Sequence, residues 1–100
     1  MANVWATKMA TGYHLKPGAK AYWVWYNAPS DTIYSFSVRP ILVTVLPDSA
    51  DLYASAAVTN VNYQVRKNSY ESPKGEVHIE IANTGSSTIH YDLYMSQIGI

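Results

Sequence analysis

The sequence predicts an all-β chain, an antiparallel two-sheet β-sandwich of Greek-key or jelly-roll type with about seven to eight strands in a single domain over residues 1–100. Three observations lead there. Runs of β-branched and aromatic residues recur at roughly 8–12-residue spacing, with Gly, Pro, Asn and Ser between them. No segment keeps a helical period long enough for a crossover helix, so the strands should pair antiparallel. Finally, Ala21-Tyr22-Trp23-Val24-Trp25-Tyr26 holds four aromatics without a charge or a glycine. Side chains of a strand alternate between faces, so this strand is apolar front and back, and something must cover its second face.

Composition narrows the function classes. An apolar share of 48% with 13% aromatics supplies a packed core and argues against disorder. Seven basic residues balance seven acidic ones, which gives a phosphate backbone nothing to grip, so no nucleic-acid partner is expected. Charged residues make up only 14% of the chain, and sparsely charged surfaces associate readily, which favours a homo-oligomer. With no cysteine, the core holds without disulfides and the redox compartment is left open. Met1–Trp5 lacks a basic segment followed by an apolar run, so no Sec signal peptide is expected. No apolar run approaches the ~20 residues of a membrane span. A soluble, cytoplasmic protein is the default reading.

The elements follow in order. A first strand is expected over 4–9, ended by Thr11-Gly12, with a short extended piece at Tyr13-His14-Leu15. Pro17-Gly18 suits the centre of a type II turn. The aromatic strand covers 20–26, 27–31 form a loop, and 32–39 the next strand. Pro40 cannot donate to a ladder and marks a break or a sheet edge. Residues 41–46, apolar on both faces, read as a buried strand, and 47–54 as the one helical turn. Over 57–66, Ala57, Thr59, Val61, Tyr63 and Val65 alternate with Val58, Asn60, Asn62, Gln64 and Arg66. After a polar loop, strands at 76–82 and 88–98 flank Asn83–Ser87.

Those last two strands are expected to form a hairpin, with Val77, Ile79 and Ile81 sharing the core face with Ile89, Tyr91, Leu93 and Met95. Like charges destabilise when directly opposed, so the outward residues select the register that sets Glu80 against His90 and His78 against Asp92. Such pairs form either a solvated, charge-matched face or a pH-sensitive contact. No metal site is expected, because the two His and two carboxylates meet as ion pairs and no Cys adds to them.

The aromatic strand is expected to pair with 32–39 across its loop, with Tyr26 opposite Thr32. Tyr22, Val24 and Tyr26 then join Tyr34, Phe36 and Val38 in the core, and Trp23 and Trp25 lie on the outer face. A one-residue slip exchanges the two sets. Trp23 and Trp25 form a flat platform for sugar rings or a partner's apolar surface, with Ser35, Ser37, Arg39 and Asn27 as hydrogen-bonding neighbours.

The sequence offers no Gly-x-Ser-x-Gly elbow, calcium-loop spacing or phosphate cradle, and its three His are scattered. No enzyme and no cofactor are expected. The reading is a non-catalytic, lectin-like binding module whose partner is a glycan or a protein surface. The alternative is a homo-oligomeric structural protein whose aromatic strand meets its own copy.

Overall fold

The computed structural model describes residues 3–28, 34–43 and 51–99, with side chains placed over 7–28, 34–43 and 51–96. The chain is all-β, and among the described residues there is no helix. Six strands are seen, fewer than the seven or eight expected: β1 (Asn3–Leu15), β2 (Lys20–Ala28), β3 (Ser35–Leu42), β4 (Ala56–Arg66), β5 (Lys74–Asn83) and β6 (Ile89–Gly99). They form two three-stranded antiparallel sheets, ordered β1-β6-β3 and β2-β5-β4.

The two central strands supply the core. Val77, Ile79 and Ile81 of β5 and Ile89, Tyr91 and Leu93 of β6 are buried together in one cluster. Their alternation matches the expected core faces, but the expected hairpin is incorrect. β5 and β6 belong to different sheets, and Asn83–Ser87 carries the chain from one to the other. A period of two is satisfied equally when two strands face each other across a core, so apolar alternation alone does not distinguish the cases.

Asn83 makes the crossing. The residue is 2% exposed. Nδ2 donates to the Leu15 and Ser87 carbonyls at 3.0 and 2.8 Å, and Oδ1 accepts the Gly85 N–H at 2.9 Å. Its backbone N–H donates to the Ala19 carbonyl and its carbonyl accepts from Gly18, pinning the corner to the β1–β2 turn. That turn is the expected one, with Gly18 at φ +76° and the Ala19 N–H donating to the Lys16 carbonyl.

Gly12 does not end the first strand. β1 runs on to Leu15 through irregularities at Lys8/Ala10 and Gly12/Leu15. A Cβ at Gly12 would run into the ring of Tyr91, so glycine there makes room for an aromatic side chain.

β2 pairs with β5 and not with β3, which corrects the expected pairing with 32–39; Thr32 itself lies outside the described residues. Ala21, Trp23 and Trp25 stand opposite Ile81, Ile79 and Val77, and directly opposed residues share a face. The tryptophans therefore turn inward, while Tyr22 and Tyr26 are 69% and 64% exposed. The tryptophans thus face the side that a one-residue slip would have given them, but through a different partner strand.

Pro40 lies on β3, an edge strand, as a residue without an N–H requires. Of the buried strand expected over 41–46, Ile41 and Leu42 instead complete β3 and are exposed, Val43 follows it, and 44–46 lie outside the described residues. Asp51–Ala54 are not helical, and the rest of the expected helical turn lies outside the described residues. In β4 a register shift between Val58 and Asn60 reverses the facing, so Ala56 and Val58 pack on the core before it and Val61 after it.

Candidate functional site

The outer face of sheet β2-β5-β4 combines exposed aromatic rings with a dense set of polar groups. Cross-strand register arranges it in rows: Tyr22, Glu80 and Asn60; Val24, His78 and Asn62; Tyr26, Glu76 and Gln64. Tyr22 and Tyr26 lie on the free edge of this face, four residues apart on one strand. At roughly 3.3 Å per residue their Cα atoms are about 13 Å apart. A hollow of about 90 Å³ opens beside Tyr22, lined by Val24, Asn60, His78 and Glu80.

The carboxylates are held by neighbours. Thr59 Oγ1 donates to Glu80 Oε1 at 2.7 Å, and Lys20 Nζ lies 3.3 Å from the same oxygen. These hydrogen bonds from Thr59 and Lys20 outweigh partial desolvation and lower the Glu80 pKa from its ordinary value. Glu76 is deeper, its side chain 9% exposed. Desolvation pushes its pKa up, but the bonds from His78 Nε2 at 3.2 Å and Arg66 Nε at 2.8 Å prevail, and the net direction is down. Lys20 and Arg66 thus offset Glu80 and Glu76 within the face, and Lys74, opposite Arg66, adds a further cation at its end.

Beneath it, the inner face of β2 meets the opposite sheet. Trp23 Nε1 donates to the Tyr91 hydroxyl at 2.8 Å, and Trp25 packs edge-on against Tyr34 with centroids 5.0 Å apart. A second hollow of about 140 Å³ is lined by Met9, Ala10 and Leu93 of one sheet and Trp23, Trp25 and Ile79 of the other. No family model, curated protein or solved structure matches this chain.

The residues singled out from sequence separate into different places. Trp23 and Trp25 face the core from β2. Ser35, Ser37 and Arg39 project from the outer face of β3, in the other sheet, and therefore do not flank the tryptophans. Asn27 sits at the irregularity between Tyr26 and Ala28 with φ +59°, a left-handed conformation that Asn tolerates.

The expected ion pairs His78–Asp92 and Glu80–His90 do not form, because β5 and β6 lie in different sheets. His78 bonds Glu76 instead, and Asp92 accepts from Thr11 Oγ1 at 2.9 Å. His90 Nδ1 accepts the His14 N–H at 3.1 Å, which places the proton of a neutral ring on Nε2, and the Tyr13 and His14 rings stand edge-on to it.

Sequence reasoning missed Tyr22, Tyr26, Asn60, Asn62 and Glu76 as members of one surface. The signal was the polar run Asn60, Asn62, Gln64 and Arg66, which marks the solvent side of β4. Whatever pairs one strand further on shares that side.

Proposed function

We propose that this chain is a non-catalytic, lectin-like binding module that holds a neutral saccharide against Tyr22 and Tyr26. The observation that carries the reading is the pair of exposed tyrosines bordering a flat field of amide, imidazole and carboxylate groups. Sugar rings present an apolar C–H face and a rim of hydroxyls. The first suits a tyrosine ring, and the second suits Asn60, Asn62 and His78, which both donate and accept, and Glu80, which accepts. With Glu80 and Glu76 already paired to Lys20 and Arg66, the field around Asn60, Asn62 and His78 favours an uncharged ligand. Glu76 and Glu80 do not resemble a hydrolytic pair. They stand four residues apart on one strand, about 13 Å between Cα atoms, and both are held ionised by neighbours when one should be kept protonated.

The same reading takes the two sheets as a small sandwich with jelly-roll winding. The steps from β1 to β2, β2 to β3, β3 to β4 and β5 to β6 each change sheet, and only β4 to β5 stays within one. One core cluster drawn from both sheets supports face-to-face packing.

A glycan array probed with the wild-type chain, Tyr22→Ala and Tyr26→Ala tests the function. Binding to neutral oligosaccharides that both substitutions abolish, with circular dichroism unchanged, is the expected result. Silence on every sugar at about millimolar concentration defeats it. A second reading, the homo-oligomeric structural protein, is favoured by a separate observation: among the described residues nothing pairs with the outer edge of β2.

A further inference from the structure

We infer that two copies of the chain join edge to edge through β2, antiparallel, about a two-fold axis passing through Val24. The inference rests on the self-assembly reading and gives it a surface and a register. Among the described residues four strands are sheet edges: β1 and β3 in one sheet, β2 and β4 in the other. Edge strands expose unpaired backbone groups, and proteins blunt them with charge, proline or bulges. β3 carries Arg39 and Pro40, β4 has its register shift and Arg66, and β1 has two irregularities and Lys8. β2 is regular from Lys20 to Tyr26, with its irregularity only beyond Tyr26, and it has neither charge nor proline between Ala21 and Ala28.

The residues of that regular stretch read the same in both directions: Tyr22-Trp23-Val24-Trp25-Tyr26. An isologous contact brings each residue of one copy against the mirror position of the other. Centred on Val24, antiparallel pairing sets Tyr22 against the partner's Tyr26, Trp23 against the partner's Trp25, and Val24 against itself. Aromatic cross-strand pairs are among the more favourable ones. The two Trp sets extend both cores across the joint, and the two Tyr sets meet on the outer face. Zero net charge adds no repulsion between copies.

Sedimentation velocity over roughly 1–100 µM tests it, a range in which a modest edge contact is read as a monomer–dimer shift. Val24 faces outward beside His78 and is only half-buried, so Val24→Lys and Val24→Glu should fold, which circular dichroism verifies. The wild-type chain is expected to dimerise. Each variant alone sets like charges against each other at the axis and is expected to be monomeric, and an equimolar mixture of the two should restore the dimer. A wild-type monomer at every concentration overturns both the inference and the self-assembly reading. An oligomer that either variant leaves intact overturns the β2 register alone and moves the interface elsewhere.

Discussion

The indole N–H of Trp23 donates to the Tyr91 hydroxyl at 2.8 Å, tying an edge strand of one sheet to the central strand of the other. The bond explains which face of β2 turns inward. Trp23 and Tyr91 are large, each carries one polar group, and the two groups bond each other where Tyr91 is buried and Trp23 half-buried. Tyr22 and Tyr26 point the other way and are exposed.

Tyr91→Phe removes the acceptor and leaves the Trp23 N–H without its protein partner. We expect a loss of about 1–2 kcal/mol. In a domain of this size that lowers Tm by several degrees, measurable by thermal unfolding followed through tryptophan fluorescence.

Gly12 and Tyr91 stand directly opposite in the β1–β6 ladder, and the ring fills the space a Cβ would take. Gly12→Ala should destabilise by about 1–3 kcal/mol through overpacking. Shrinking the neighbour with Tyr91→Leu should make the double variant less unstable than the two single losses combined. Denaturant melts of all four proteins read that coupling directly.

Asn83→Ala strands the Leu15 and Ser87 carbonyls and the Gly85 N–H at the crossing between sheets. A cost of at least about 2 kcal/mol is expected, since each buried group left unpaired carries a penalty. Equilibrium urea unfolding measures it. Asn83→Asp, which keeps an acceptor for Gly85 but sets a carboxylate against two carbonyls, should not rescue the loss.

Glu76 and Glu80 both have folded-state pKa values lowered below the usual 4.5. A lowered value means the ionised form is favoured in the folded chain. The stabilisation from both is therefore complete above about pH 5 and is lost as pH falls through the folded values. Stability against pH should drop on the acid side, and Glu76→Gln with Glu80→Gln should flatten that limb while leaving its position near neutrality lower. An unchanged acid limb in the double variant contradicts the assignment.

Much of the architecture is legible in the residues. The alternations Val77-Ile79-Ile81 and Ile89-Tyr91-Leu93-Met95 name the core faces, Pro40 announces an edge, and Pro17-Gly18 announces its turn. Pairing is a different matter, because an inward-facing alternation fits a hairpin partner and a strand across the core equally well. Asn83 holds the crossing through three side-chain bonds, two to the nearby Ser87 and Gly85 and one to Leu15, 68 positions away in sequence. Position-two parity also fails at Thr59, where one inserted residue reverses β4. The candidate site was read with its rings exchanged, since a strand apolar on both faces carries no sign of which face is inward.

Residue-resolved NMR during titration with a neutral oligosaccharide selected from the array tests the central claim most directly. The account predicts shifts concentrated at Tyr22, Tyr26, Asn60, Asn62, His78 and Glu80, with Ser35, Ser37 and Arg39 on the opposite sheet unmoved. Shifts confined to the β3 face, or none at saturating sugar, would contradict it.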